Sequence, residues 1–514
     1  MSGTVEKAEE WKPSGNPWLL ILPVMLATFM YALDETVANV ALPHIAGTYS
    51  VSSQESIWVL TSYLMASSIV IPMIDFFCKF LGRKNFFMLG VFVFTIASFL
   101  CGISTSIGMI VVARALQGFG GACLMPMAQS VCMETFTGEA RNKAMAVFGL
   151  VVIVAPILGP VMGGWITENW SWPYIFFINV PVGFICIALA KKFLEDPPYA
   201  RKQQNVHLDK TGFLWLCIWL IPLQIVFDKG NDADWFNAPW ICWLSVIALT
   251  GAVLFFISQV KHKNPLVKLD VFKDSNYLCG TGMLILINAV LLASLAILPQ
   301  LLQYMLGYDS FLSGLAIMPR GLGAFTALMI FGGLGGKISY KTYGIIGLLC
   351  LGTGGWMLGM LNLQINPMNI AIPNFVFGVG LVFTMMPITT LSCITLRNEQ
   401  MTNATGIQNL LKNIGSAIGT SLVATMLTRF SQVHQYMMVG KTSELNPAFI
   451  ERVQSTAAAL SGYAEQSVAQ YMAQYSYYGQ LVKQSTLWAF IDSFRIFGAC
   501  LLYTSDAADE ARSV

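Results

Sequence analysis

The chain has 514 residues, of which 55% are hydrophobic and 11% charged, with a mean hydropathy of +0.63. Soluble domains carry about 25% charged residues, so this composition excludes a soluble enzyme or a nucleic-acid-binding protein and indicates an integral membrane protein. The formal net charge of +2 points to no partner, and eleven Cys without CxxC spacing and four unclustered His give no disulfide framework or metal site to expect.

A membrane helix needs about 20 apolar residues. Fourteen such runs are predicted, at 17–41, 56–77, 85–104, 107–131, 144–166, 174–190, 211–227, 239–259, 277–299, 311–333, 343–362, 369–390, 404–427 and 486–503. None alternates as a membrane barrel strand does. The first is too long for a secretory signal and lacks its cleavage site, so it reads as an uncleaved span. With both termini inside, twenty of the 29 Lys and Arg fall on inner segments, one (Lys229) in a short outer loop, four in a long outer loop and four within spans. That asymmetry follows the cytoplasmic excess of cations.

The first span holds Asp34 and Glu35 in LDETVANVALP. An ionisable group within a span is costly and is a functional candidate by default. A carboxyl shielded from water keeps its proton to higher pH, which a proton-coupled carrier requires. Adjacent helix positions point about 100° apart, so the two acids face different ways; Glu35 caps or reaches the outer interface, or lines a substrate path. At the inner end of the second span, Asp75 and Lys79 are spaced i,i+4, and Gly82, Arg83 and Lys84 follow. These are orientation charges that can also latch two helices. In the fourth span, Arg114 cannot shed its proton and must find a carboxylate, carbonyls or water; snorkelling to the interface is the simpler alternative. Gln117 lies three residues on and shares its face.

The stretch GLVVIVAPILGPVMGGW, Gly149 to Trp165, carries Gly149, Pro156, Gly159, Pro160, Gly163 and Gly164 inside an apolar run. A soluble helix would lose about 1 kcal/mol at each Gly and about 3 at each Pro. A membrane bundle tolerates them, and small residues let two backbones close up. The expectation is a bent, tightly packed helix. Further on, Arg320 and the mid-span Lys412 are cations that either line the substrate path or brace the bundle. Asp492 and Arg495, three apart on the last span, can pair on one face. The long outer loop, 429–484, is polar; Gln454 to Gln480 can form one or two helices, which either stay solvated or dock a partner. GGLGGKIS lacks the spacing of a phosphate loop and GFGGAC that of a dinucleotide fingerprint. No ATP site or other cofactor is expected, so an ion gradient would drive any uphill transport.

LDETVANVALP, RALQGFGGACLMP, the Gly149–Trp165 stretch, WSWPYIFFINVPVG, LQIVFDKGNDADWF and NLLKNIGSAIGTSL together resemble the major facilitator superfamily, specifically its fourteen-span drug:proton antiporters, the EmrB/QacA branch. The resemblance covers nearly the whole chain. It implies an all-α fold of two six-helix bundles plus two extra helices: residues 1–190 as the first bundle, 191–260 as the inserted pair and linker, and 261–514 as the second bundle with the loop at 429–484. Substrate would bind near the midplane while the bundles rock. It makes Asp34 and Arg114 the proton-coupling residues, Gly149 to Gly164 the antiporter motif, and Gly82 and Arg83 part of the loop motif. Asp75 and Lys79 depart from that motif, the charges being exchanged across one turn, and Lys412 stands where the family usually has Arg.

The implied activity is proton-coupled efflux of amphipathic or lipophilic compounds across the bacterial inner membrane; the alternative is a dedicated exporter of one metabolite, lipid or siderophore. A passive channel or membrane enzyme has little support, since no catalytic constellation is visible. The long outer loop implies a periplasmic adaptor of EmrA type and an outer-membrane channel as partners. The last residues, CLLYTSDAADEARSV, break the apolar run and resemble a translated sequencing adapter, so residues 500–514 are expected to be an artefact.

Overall fold

The computed structural model describes residues 13–510, apart from 14, 204–208, 263–264, 335–337, 364, 443–445 and 464. Among the described residues the regular structure is entirely helical. Numbered in chain order, α1 is Pro17–Tyr49, α2 Trp58–Leu81, α3 Arg83–Gly102, α4 Ile107–Thr135 and α5 Gly138–Asn169. Then follow α6 Tyr174–Phe193, α7 Lys210–Lys229, α8 Pro239–Lys261, α9 Ser275–Met305 and α10 Ser310–Leu334. The last five are α11 Tyr340–Leu358, α12 Met368–Cys393, α13 Asn398–Val439, α14 Pro447–Leu460 and α15 Gln466–Glu510.

Each of the fourteen predicted runs falls on a helix. Twelve are long and apolar enough to cross a membrane, and the bent α5 makes a thirteenth. The remaining helix, α11, is nineteen residues long and dilutes its Ile and Leu with glycine; it packs between α12 and α15. The predicted edges of several spans are too short, the first among them, which runs on to Tyr49. The fifth begins at Gly138 and ends at Asn169, the thirteenth continues to Val439, and the last starts at Gln466. The segment 429–484 is therefore largely helical: the polar ends of α13 and α15 stand beyond the apolar layer, with α14 packed on α15.

Local chemistry places the breaks. Asn16 caps α1 by accepting from the Trp18 N–H at 3.0 Å, with Pro17 at the first position. The chain turns between α2 and α3 at Gly82, whose φ of +85° suits only glycine. Asp209 caps α7 through the Gly212 N–H at 2.8 Å, and Asp274 caps α9. Within α5, Pro156 removes a backbone donor, and the helix axis bends by 41° between Gly138–Pro156 and Val161–Asn169.

One hydrophobic core fills α1 to α8 and reaches Tyr277 of α9, and a second fills α9 to α13 and α15 together with Ala146 and Ile153 of α5. The two cores are joined unevenly. The side on which α1 begins is called here the near side. There the first core runs on into Met401, Ala404, Ile407 and Leu410 of α13. Across this seam Gln129 of α4 donates to Gln408 at 3.0 Å and accepts from Asn409 at 3.0 Å. Ser130 lies 3.3 Å from Thr402, and Tyr340 donates to Asn142 of α5 at 2.7 Å. The bundles are thus clasped at the near side.

Candidate functional site

Asp34 sits at the centre of a buried polar cluster built by five helices, α1 to α4 and α6. Arg114 Nη1 of α4 reaches Asp34 Oδ2 at 2.5 Å, while Gln117 Nε2 and Asn179 Nδ2 of α6 donate to Oδ1 at 2.8 and 2.7 Å. Gln117 is a junction: it accepts from Arg114 at 2.7 Å and donates to Ser98 of α3 at 2.7 Å. Arg114 Nε donates to the Val59 carbonyl at 3.0 Å, and its guanidinium lies 4.2 Å from the centre of the Tyr63 ring. Asp34 is 3% exposed, Asn179 2%, and Arg114 and Gln117 not at all. A buried charge pair holds only when its remaining lone pairs and protons are also satisfied, and here both carboxylate oxygens are. One guanidinium nitrogen, Nη2 of Arg114, has no hydrogen bond among the described residues.

Arg114 therefore points inward to a carboxylate rather than snorkelling. The 3.6-residue period places Gln117 beside it, and both meet Asp34. Asn179 and Ser98 escaped the sequence reading. The signal for Asn179 was an amide inside the apolar WSWPYIFFINVPVG run; Ser98 gives no such signal, because a lone Ser in a span bonds equally well to its own helix. Glu35 is half-buried, and its side chain makes no hydrogen bond among the described residues.

The glycine-rich α5 lies between α1 of its own bundle and α10 of the other. A Cβ on Gly159 would stand 2.1 Å from Thr36 Oγ1, and one on Gly163 3.2 Å from Val37 Cγ1. A Cβ on Gly149 would meet Met386 of α12 at 2.6 Å. The first two faces abut α1 next to Asp34, and the third abuts the second bundle. Gly164 accepts from Thr167 at 3.0 Å. Pro160 lies in α5 within the bend, between Pro156 and Val161; its side chain is outside the described residues.

The loop charges divide their tasks. Lys79 bonds Asp75 within its own helix. Arg83, 2% exposed, pairs with Glu134 of α4 at 2.7 Å, and Glu134 accepts from Ser130 at 2.6 Å. Ser130 is the residue that meets Thr402, so one chain of contacts to the second bundle starts at Arg83, while Lys79 and Asp75 face Lys268 in the segment before α9. In the second bundle, buried Arg320 donates to Asn374 at 3.1 Å and Ser294 at 3.2 Å and lies 4.5 Å from the Phe377 ring centre. Lys412 is 4% exposed. The expected pairing of Asp492 with Arg495 is not formed. Asp492 instead meets His434 of α13 at 2.7 Å, and Arg495 donates to the Gly359 carbonyl at 2.9 Å, because partners on α13 and α11 lie closer than one helix turn allows. Among the described residues no group of three or more His, Cys, Asp or Glu could hold a metal ion.

The Major Facilitator Superfamily model matches residues 24–420. The multidrug export protein EmrB of Haemophilus influenzae is 33% identical over 84% of this chain and 84% of its own length. EmrB of Escherichia coli is 32% identical over 85% of this chain and 86% of its own. The fatty acid resistance protein FarB of Neisseria gonorrhoeae is 33% identical over 80% and 81%. In shape the chain is similar to the human organic anion transporter MFSD10, with a TM-score of 0.59 at 13% identity, covering 80% of this chain and 94% of that one. Helical layers, two cores and these relatives agree: this multi-pass membrane protein belongs to the major facilitator superfamily.

Proposed function

We propose that the chain is a proton-coupled multidrug exporter of the bacterial inner membrane, with its near side and both termini in the cytoplasm. The cation asymmetry supports that orientation, and the names of the relatives support the cargo class. The observation that carries the coupling is the closed cluster around Asp34. Protonating Asp34 cancels the charge that holds Arg114 and frees the donors of Gln117 and Asn179 at once. Since these come from different helices, proton loading loosens α1 against α4 and α6, and proton release draws them together again. Glycines 159 and 163 let α5 follow α1 through that change. No catalytic group or cofactor is needed; the gradient supplies the work. The polar ends of α13 and α15 with α14 form the surface on which a periplasmic adaptor, continuing to an outer-membrane channel, would dock.

The test is efflux of a lipophilic dye from cells lacking their own pumps, with and without an uncoupler. Asp34→Asn keeps the shape but cannot carry the proton. Gradient-driven efflux should vanish while membrane insertion stays normal; efflux at the wild-type rate refutes the coupling role.

A further inference from the structure

The inserted helix α7 carries a carboxylate that the proton cluster does not use. Asp228 lies at its far end, in LQIVFDKGNDADWF, and is half-buried. An acid in a span is costly unless it is matched. Asp228 Oδ2 accepts from Thr61 Oγ1 of α2 at 2.7 Å, and Oδ1 accepts from Gln224 Nε2, one turn back, at 3.2 Å. Lys229 is the charged group that faces it.

Thr61 belongs to a turn of α2 that also serves Arg114. The Val59 carbonyl accepts from Arg114 Nε at 3.0 Å, and the Tyr63 ring centre lies 4.2 Å from the guanidinium. Two residues turn a helix by about 200°, so Thr61 faces away from Val59 and Tyr63. The far end of α2 is therefore gripped from opposite sides, by Arg114 of α4 and by Asp228 of α7. Its own terminus adds no grip, since Ile57 at the cap position makes no side-chain cap bond. Against α4 the fit is close: a Cβ on Gly118 would stand 2.2 Å from the Tyr63 carbonyl oxygen. Backbone packed that tightly passes a shift of α2 on to Arg114 instead of absorbing it. Of the three donors to Asp34, Gln117 and Asn179 also bond Ser98 of α3, whereas Arg114 leans on α2.

We propose that Asp228 is a positioning residue of the proton site: by holding Thr61 it fixes the turn whose Val59 carbonyl and Tyr63 ring aim Arg114 at Asp34. This rests on the proton-coupling reading and extends it to a helix outside both bundles. When Thr61 is released, the carbonyl and ring drift, Arg114 opposes protonation of Asp34 less, and the proton leaves at higher pH. The other titratable groups facing Asp34 are Tyr31 and Glu35 of α1, Tyr63 of α2 and Cys101 of α3. None of them bonds Thr61 or Asp228, so the α2 turn is the route between the two carboxylates.

The experiment measures respiration-driven ethidium uptake into everted membrane vesicles from a pump-deficient host expressing the full chain. Uptake is followed against the pH of the outer medium, which bathes the near side. Proton release there limits the rising limb of the profile, so later release moves that limb up in pH. Asp228→Ala and Thr61→Val should each raise its midpoint by about half a unit or more. D228N keeps an acceptor for Thr61 and should stay within about a fifth of a unit of wild type. D228A combined with T61V should shift no further than either change alone. Membrane amounts are matched by immunoblot, and T61V carries the test where D228A does not reach the membrane. Unshifted midpoints in D228A and T61V, a D228N shift as large as that of D228A, or additive shifts in the double variant overturn the inference and leave proton coupling standing. Wild-type uptake indifferent to an uncoupler overturns both.

Discussion

Replacing Gly159 by Ala probes the contact of α5 with α1. The added Cβ would lie 2.1 Å from Thr36 Oγ1, 2.8 Å from Thr36 Cβ and 3.2 Å from the Val37 nitrogen. Ordinary carbon contacts begin at about 3.5 Å, so α1 must retreat by an ångström or more, or Thr36 must leave its rotamer. Thr36 is constrained: its hydroxyl bonds back to Leu33 at 3.1 Å and Ala32 at 3.3 Å. Overpacking of this kind costs about 1–3 kcal/mol. Gly163→Ala meets only Val37 Cγ1 at 3.2 Å, a side-chain end that yields by a few tenths of an ångström, so its cost should stay below about 1 kcal/mol. Thermal unfolding of detergent-purified protein, followed by tryptophan fluorescence, orders the two variants. Thr36→Gly introduced with Gly159→Ala removes the two closest atoms and should recover most of the loss. A Gly159→Ala variant as stable as wild type, or a Gly163→Ala variant that is worse, refutes the packing argument.

Glu134→Gln removes the carboxylate that pairs with buried Arg83 at 2.7 Å; a loss of about 3 kcal/mol is expected, and Arg83→Met added to it should be less damaging than the two single changes summed, read from the same melts. Trp235→Phe deletes the bond from Nε1 to Thr425 at 3.0 Å and should cost about 1 kcal/mol without abolishing efflux. Asp196, in the loop after α6, has its carboxyl pushed up by burial, against the pull of the Lys84 N–H at 2.7 Å. An acid raised in the folded state favours folding below its ordinary range, and that contribution fades as pH rises through the folded value. The wild-type melting temperature relative to Asp196→Asn should accordingly fall as pH rises from the ordinary carboxylate range upward; a flat difference contradicts the burial.

Charges in apolar runs were the most legible part of the sequence. Asp34 and Arg114 stood out because an ion in a span must be matched, and Gln117 followed from helix periodicity. Asn179 and Ser98 did not, since neutral polar groups can be satisfied on their own helix. Asp75 and Lys79, read as orientation charges or a latch between helices, bond to each other within one helix, whereas the spacing rule misled for Asp492 and Arg495, where neighbours from α11 and α13 compete. Span positions were readable from apolarity, whereas the polar continuations of α13 and α15 were not, because hydropathy reports where the bilayer stops rather than where the backbone hydrogen bonds do. The eleventh span was readable as a run even though its glycines, which allow close packing on α12 and α15, lower its hydropathy.

The inserted helices have a mechanical effect on the whole. Asp228 of α7 accepts from Thr61 of α2 at 2.7 Å, and the following turn is tied to α13 by Trp235 with Thr425 and by Arg429 with Asp234. One bond anchors α7 to the first bundle and the others anchor its end to the second, on the side opposite the clasp. The pair ties the two bundles together on the side opposite the clasp. Under the proposed rocking, opening the far side must either pivot about these bonds or break them, so they bound the stroke.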